Sequence, residues 1–589
     1  MASPHTNAAQ TQSPQSFLYT CLASNHLGAA AAAVVASLIS HGRLSARELA
    51  AKTRLPPRQV RGALVSLIQL NCVQYWAEPA GVHYSFCAQG LDVLLHGGDI
   101  ICHVKETHGA DAAEAVQNVL QHGSMAVHDY MSSFADPHTQ AAKMAVLVRL
   151  YGAGWLRRLQ PVDLLPPEDL WARTYRDMLQ HMPRSAATSE IKRVAEAREK
   201  TQARMLDLYA SGTAAADVYT TNNGVRVLRA DLVLTIHWQR YLQALRSRAF
   251  VALARLRLGV VSAHVYAAGC ALVEQRLPEL HLRALAISGL VLGPDDQLML
   301  LRLRENALVD AKQTVFSVRD VARRLPPHLD LRNSILTQNF LKPGRRAAAP
   351  AGPPPKRIKR EDGAAPDVAL APDALDNDSA DLHPEALVAE HLRLLAACKT
   401  PFVVETAPGS YTVPFLQVAR AVKQHHYDAL VKATLGPNAL RVLRCVQTMR
   451  LVDEKLISNA VLLKDRTVKN EVYKLVTNNV LEIQEVPRSV DRAALKTFYL
   501  FRHKPAPCHA FVARSLLHSM GAVLSNVDLF RADHRILLDK CEREDVKGHE
   551  DELLLDSELK TLRDLQRREV ANIGRFNRLK WLHFIFGCL

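Results

Sequence analysis

One local pattern recurs along this chain and restricts what it can fold into. A short apolar helix meets a glycine stop, a capped second helix and a third helix with one apolar face follow, and two strand-like runs close the unit. The first copy lies between Leu18 and Phe86. Leu27, Val34, Leu38 and Ile39 share a helical period that stops at His41-Gly42. Ser45-Ala46-Arg47-Glu48 is a capping box that predicts a second helix ending near Thr53. Pro56-Pro57 opens a third, with Val60, Leu64, Leu67 and Ile68 on one face. Val73 to Trp76 and Val82 to Phe86 alternate like strands around a Glu78-Pro79-Ala80-Gly81 turn. Three helices followed by a β-hairpin is the winged-helix order.

The order returns three more times. Ala110 to Leu120, a second stop at His122-Gly123, Met125 to Met131, a helix capped by Asp136-Pro137 and a strand from Trp155 form the second copy. The third opens with a long helix from Phe250 to Leu277 and a cap at Ser317-Val318-Arg319-Asp320, and is then interrupted. It resumes at Pro384 with a helix to Ala397 and strands from Phe402 to Glu405 and Tyr411 to Val413. The fourth runs from Ala439 to Phe501, with helices Ala439–Met449, Asp453–Ala460 and Lys464–Thr477 and strands Val480–Val486 and Lys496–Phe501.

These readings predict a mainly α chain with small β-hairpin wings: four tandem winged-helix domains and a C-terminal antiparallel coiled-coil hairpin. The expected boundaries are a disordered tail over 1–16 and winged helices over 17–96 and 97–165. A helical connector covers 166–230, with a solvent-exposed helix expected from Ser189 to Leu208. The third winged helix, 231–414, carries a disordered charged insertion at about 328–382. The fourth covers 415–504 and the hairpin 505–589. In the hairpin, Leu516, Met520, Val523, Val527, Phe530 and Leu537 follow a heptad seam with His534 set into it. Leu555, Leu559, Leu562, Leu565, Val570, Ile573 and Phe576 make the facing one. Trp581, Phe584 and Phe586 near the end either pack on the chain's own modules or anchor a partner protein.

The chemistry-bearing motifs point away from catalysis. There is no phosphate-binding glycine loop, no H-E-x-x-H and no G-x-S-x-G elbow. The ten cysteines stand singly, with no C-x-x-C pair, against a zinc ribbon or a disulfide scaffold. No catalytic, cofactor or metal residues are therefore expected. The polar first residues lack a signal-peptide core and the apolar stretch at Leu27–Ile39 is too short for a membrane span, so a soluble protein with no membrane partner is expected.

A formal charge of +15 over 589 residues suits a polyanion or an acidic protein. Nucleic-acid candidates are Arg58 and Arg61 on the first third-helix and Lys464, Arg466, Lys469 and Lys474 on the last. A charged outer face is equally what any surface helix needs. Lys356, Arg357, Lys359 and Arg360 in the insertion read as a nuclear import signal, a phosphate contact, or simply a solvated linker.

Two stretches carry a family resemblance. Leu451-Val452-Asp453-Glu454-Lys455, Leu481-Glu482-Ile483-Gln484-Glu485-Val486-Pro487-Arg488 and Thr497-Phe498-Tyr499-Leu500 resemble the last winged helix of the third-largest subunit of RNA polymerase III. Gly42-Arg43-Leu44 and Leu55-Pro56-Pro57-Arg58-Gln59-Val60-Arg61 are similar to its first. The resemblance spans nearly the whole chain and extends to the large subunit of the general factor TFIIE. It implies a nuclear, non-catalytic subunit within a three-protein subcomplex on the polymerase clamp, meeting the largest subunit, two smaller partners and promoter DNA, and not a homo-oligomer. It also implies help in promoter opening for transfer RNA, 5S ribosomal RNA and other small RNAs, with the insertion toward the DNA cleft. The rival reading is a free-standing winged-helix DNA-binding regulator; an enzyme with an unrecognised site is the third.

Overall fold

The computed structural model describes residues 13–79, 81–182, 190–210, 218–222, 224–277, 280, 287, 294–331, 334, 384–487 and 497–589. The basic run Lys356–Arg360 lies outside them. Two compact units are present: Met1–Leu242 with Glu279–Met299 and Lys423–Leu589, and Gln243–Pro278 with Leu300–Val422.

Module 1 is built from α1 (Pro14–Leu27), α2 (Ala29–His41), β1 (Leu44–Ser45), α3 (Ala46–Thr53), α4 (Pro57–Gln69), β2 (Val73–Glu78) and β3 (Gly81–Phe86), with α5 (Ala88–Leu95) behind it. The capping box forms as expected. The Ser45 amide donates to Glu48 Oε2 at 2.8 Å, and the Glu48 amide donates back to Ser45 Oγ. β3 lies between β1 and β2, pairing antiparallel with both.

Module 2 has α6 (Gly97–His108), α7 (Ala110–His122), β4 (Ser124–Ala126), α8 (Val127–Ser132), α9 (Pro137–Gly152) and β5 (Leu156–Arg158). Its last strand is not where the sequence placed the domain's end. After a 3₁₀ turn come α10 (Pro167–His181), α11 (Glu190–Ala210) and the strands β6 (Tyr219–Asn222) and β7 (Val225–Leu228). Only then does β8 (Val233–Ile236) return to pair with both β4 and β5. Residues 166–230 are thus an excursion between two strands of one sheet. α11 is not a solvent-exposed strut either, since Arg193, Ala197, Thr201 and Met205, one per turn, are buried.

Module 3 comprises α12 (Trp238–Leu258), α13 (Val260–Val273), α14 (Pro294–Asp310), β9 (Val315–Ser317), α15 (Val318–Arg324), α16 (Pro384–Ala397), β10 (Val404–Ala407) and β11 (Ser410–Thr412). The long helix expected from Phe250 to Leu277 breaks at Gly259. Module 4 comprises α17 (Phe415–Leu435), α18 (Pro437–Met449), β12 (Leu451–Val452), α19 (Glu454–Val461), α20 (Asp465–Thr477), β13 (Glu482–Pro487) and β14 (Thr497–Arg502). In each module the final strand sits between the short first strand and the second, so all four sheets share one strand order. Four copies of one topology establish the winged-helix repeat.

Each copy also has a helix the repeat pattern did not reveal, joined to its first helix by a single glycine. Gly28, Gly109, Gly259 and Gly436 have φ of 87°, 95°, 88° and 99° with ψ of 172°, 177°, 179° and 171°. That region is open essentially to glycine alone. The carbonyl of each glycine accepts from the fourth residue on, as in Ala32 N to Gly28 O at 3.1 Å and Leu440 N to Gly436 O at 3.3 Å. A Cβ at any of the four would meet open space, so the requirement is one of backbone conformation, not of room.

The hairpin, α21 (Pro505–Asp533), α22 (Arg535–Cys541), α23 (Glu550–Leu553) and α24 (Asp556–His583), ends in a π-helical turn, Phe584–Cys588. The first arm of the hairpin, α21, stops at His534 instead of carrying it within the seam. Arg531–Glu569 and Lys540–Glu558, both 2.7 Å, cross between the arms. Leu565 is buried in the seam, but Val570 and Ile573 are 70% and 57% exposed. The expected facing seam is therefore narrower than its heptad spacing suggested.

The stops after the first helices generate a prediction. Gly123 has φ 75°, ψ −50°, and Arg450 occupies the equivalent place in module 4 with φ 69°, ψ −50°. Arg450→Gly should stabilise module 4 by about 1 kcal/mol, and Gly436→Ala should destabilise it by about 1–3 kcal/mol. Hydrogen exchange across α18 in the full chain reads both; equal protection in the two variants would contradict the strain argument.

Candidate nucleic-acid interface and hairpin base

The third helices of modules 1, 3 and 4 are positioned by the same internal spacing. In α20, Val468, Glu471, Val472 and Leu475 are buried, which turns Arg466, Lys469, Asn470, Tyr473 and Thr477 outward. In α4, Val60, Ala63, Leu64 and Leu67 are buried and Arg58 and Arg61 are exposed. The structure thus puts every described nucleic-acid candidate on an outer face.

Their electrostatic states differ. Lys474 Nζ reaches Glu471 Oε1 at 2.9 Å on its own helix, and Lys469 approaches Glu454 at 3.9 Å. Among the described residues, Lys464, Arg466, Arg58 and Arg61 make no ion pair. The helix N-terminus beside Lys464 and Arg466 adds partial positive charge, although Asp465 in the first turn offsets it. Tyr473 is 72% exposed between these cations, a feature the sequence reading did not single out. Its signal was available, because 466, 469, 470, 473 and 477 follow one helical stripe opposite the apolar one.

The other two third helices are less cationic. On α9, Lys143 is drawn into pairs with Glu114 at 2.6 Å and Asp111 at 3.1 Å. On α16, Glu385 and Glu390 stand beside Arg393, which pairs with Glu390 at 2.6 Å. The C-terminal end of α4 is also engaged within the chain, since Gln69 Nε2 donates to Ser124 O at 2.8 Å and His122 O at 3.1 Å. α20 therefore presents the more complete cationic and aromatic face.

The three aromatic residues near the chain's end do not form one exposed cluster. Phe584 is 1% and Phe586 5% exposed. Phe586 belongs to the core of module 4, with its ring 5.5 Å from His509 and 6.3 Å from Tyr427. Their place is the chain's own interior, so the partner-anchor reading is corrected for Phe584 and Phe586. Trp581 is partly buried, its ring 5.8 Å from that of Phe584.

The hairpin base is seated on module 1 as well. Met520 is part of the module 1 core, and Gly521 lets α21 approach so closely that a Cβ there would collide with the Phe17 ring. Lys580, buried on α24, pairs through Nζ with Asp99 Oδ2 at 2.5 Å and donates to Leu95 O at 3.4 Å. Burial alone would raise the Asp99 carboxyl; donation from His96 and Lys580 outweighs it and holds the group at about 2.

Comparison with known proteins follows this architecture along the chain. The family described as RNA polymerase III subunit RPC82 matches residues 145–422, and its helix-turn-helix domain matches 17–78. A POLR3C C-terminal winged-helix domain matches 427–503, and the helical hairpin domain of DNA-directed RNA polymerase III subunit RPC3 matches 536–587. Curated relatives bearing the name DNA-directed RNA polymerase III subunit RPC3 include one from Scheffersomyces stipitis, 47% identical over 98% of both chains. One from Candida albicans is 42% identical over 98% of both. One from Saccharomyces cerevisiae is 33% identical over 98% of this chain and 94% of its own.

Two outcomes are expected from this geometry. Arg466→Ala with Lys469→Ala should weaken binding to duplex DNA evenly across sequences and reduce the slope of log affinity against log salt by about 2, with an unchanged melting temperature. Salt titration of a fluorescent duplex checks this, and an unaltered slope counts against α20 as a phosphate contact. Separately, the depressed Asp99 carboxyl contributes stability that is present above its ordinary value near 3.8 and is lost as pH falls through about 2. Asp99→Asn should flatten that acid limb in pH-dependent melting, and Lys580→Met should destabilise the hairpin base by about 1 kcal/mol by removing the cation from Asp99, whose side chain is 42% exposed and partly screened by solvent.

Proposed function

The chain belongs to the RPC3 family of DNA-directed RNA polymerase III subunits, and from that premise we propose that it is a nuclear initiation subunit that contributes binding surfaces and no catalytic groups. In this reading it joins two smaller subunits on the clamp of the largest subunit and assists promoter opening. The transcripts are transfer RNA, 5S ribosomal RNA and other small RNAs. The observation that carries the reading is the full-length match, with relatives that bear the polymerase subunit name aligning over 98% of the chain.

The geometry supports it in two ways. α20 offers Arg466, Lys469, Asn470 and Tyr473 on one outward face, suited to phosphate contact with an aromatic platform between cations. The insertion carries Lys356, Arg357, Lys359 and Arg360 between the second and third helices of module 3, a position from which a second contact with promoter DNA is expected. A free-standing regulator remains the alternative, favoured only by the Arg and Asn residues on α20, which are types that read bases. It is disfavoured because the apolar residues at the base of both hairpin arms are taken up by the cores of modules 1 and 4.

Affinity purification at moderate salt tests the assembly. Recovery of a stoichiometric multisubunit polymerase is expected, whereas a lone homodimer would end the proposal. Replacing Lys356, Arg357, Lys359 and Arg360 with Ala should lower open-complex yield several-fold in a permanganate footprint, and unchanged promoter melting removes the insertion from that role.

A further inference from the structure

The spacing of buried residues brings the third helices of modules 1, 3 and 4 into a common frame, to which Leu147 and Leu150 align that of module 2. Val388–His391–Leu392–Leu395 on α16 occupies the same i, i+3, i+4, i+7 positions as the buried set on α4 and α20. His391 stands where module 1 has Ala63, module 2 has Val146 and module 4 has Glu471. Glu471 is met by Lys474 from its own helix. His391, 1% exposed, instead reaches two other segments of the chain.

Its Nδ1 lies 3.1 Å from Ser262 Oγ on α13, and its Nε2 lies 2.8 Å from Ser334 Oγ. Ser334 follows α15 and is the last described residue before 335–383. The directions of these bonds follow from the donor inventory. Ser334 Oγ donates its proton to Leu331 O at 2.6 Å, so toward His391 it can only accept. Nε2 therefore carries the ring proton, and the bare Nδ1 accepts the proton of Ser262. One neutral tautomer satisfies all three bonds, and burial pushes the imidazole below its ordinary value, in keeping with that state.

A buried histidine in an otherwise apolar helix face costs desolvation, and an Ala or Val at this position serves modules 1 and 2. The position differs in the module whose second and third helices are separated by the long charged insertion. We propose that the Ser262–His391–Ser334 bridge ties the segment after α15 to α13 and α16, making His391 a positioning residue that fixes Ser334, the described residue at which the charged insertion begins. Its value to function rests on the reading above, in which the insertion meets promoter DNA; the anchor itself does not.

Hydrogen exchange on the full chain within the purified polymerase tests the anchor. Ser334→Ala removes the outer bond while leaving Ser262 and His391 paired, and should speed exchange over residues 328–331 by about five- to tenfold, as loss of one buried hydrogen bond implies. Exchange in α13 and in β10–β11 should stay unchanged, and Ser334→Thr, which keeps the hydroxyl, should restore slow exchange. Unchanged exchange at 328–331 in Ser334→Ala, or equal loosening of the whole module, overturns the anchor. A photo-crosslinker at position 357 gives the second readout, with contacts to promoter DNA expected to spread over more positions in Ser334→Ala. Absence of any crosslink from the unmutated chain would sink the DNA reading while leaving the exchange result to decide the anchor.

Discussion

The first compact unit depends on burial of the chain's final turn. Phe584, Ile585 and Phe586 are all inside it, and full burial of such side chains stabilises by about 1.5–3 kcal/mol each. Modules of this size have little apolar area to spare, so a shared wall of hydrophobic side chains matters more to them than to a large domain. The base of the hairpin provides that wall twice. Met520, with Leu517, Leu524, Phe576 and Leu579 around it, completes the core of module 1. Leu516, Cys508 and Phe586 complete that of module 4. The stabilities of modules 1 and 4 are therefore linked through α21 and α24, although hundreds of residues separate the modules in sequence.

How much of this was legible depends on the range of the interaction. Local signals carried through: the Ser45–Glu48 capping box and the Asp136 cap form where the sequence placed them, and the helices read as opening at Ser317 and Asp453 are capped by those two side chains. Each rests on residues within three positions of one another. The pairing of Leu156–Arg158 with Leu234–Ile236 does not, because its partner strand lies beyond an inserted pair of helices. A short strand with an ordinary apolar alternation gives no sign of which distant strand it joins. The four linking glycines were present in the sequence, but a glycine inside a helical period reads equally as tolerated or as a break. Only the repetition of φ near 90° in all four modules shows that they are equivalent.

For the candidate surfaces the division is similar. Exposure of Arg58, Arg61, Arg466 and Lys469 followed directly from helical period, since the buried stripe fixes the opposite face. The terminal aromatics could not be assigned that way. Phe584 and Phe586 sit in a turn whose neighbours, Tyr427 and His509, come from two other helices. Val570 and Ile573 show the reverse error: they satisfy the heptad spacing, yet α24 meets its partner arm over a narrower stripe centred on Leu565. Spacing fixes which residues share a face, and the partner element decides how wide the buried part of that face is.

The repeat thus separates two kinds of variation. On the inward side of the third helices, the i, i+4 and i+7 positions stay apolar in modules 1, 3 and 4, because three helices and a small sheet leave no room for anything else. The i+3 position is the exception, holding Ala63, Val146, His391 and Glu471 in turn, and each polar choice there is matched by a specific partner. On the outward side no such constraint acts, and the modules diverge from the acidic character of α16 to the cations of α20. A fold that fixes its inner face and frees its outer one can keep four copies of one topology while giving each a different surface. That is the physical basis on which one repeated fold presents several distinct surfaces within a single chain.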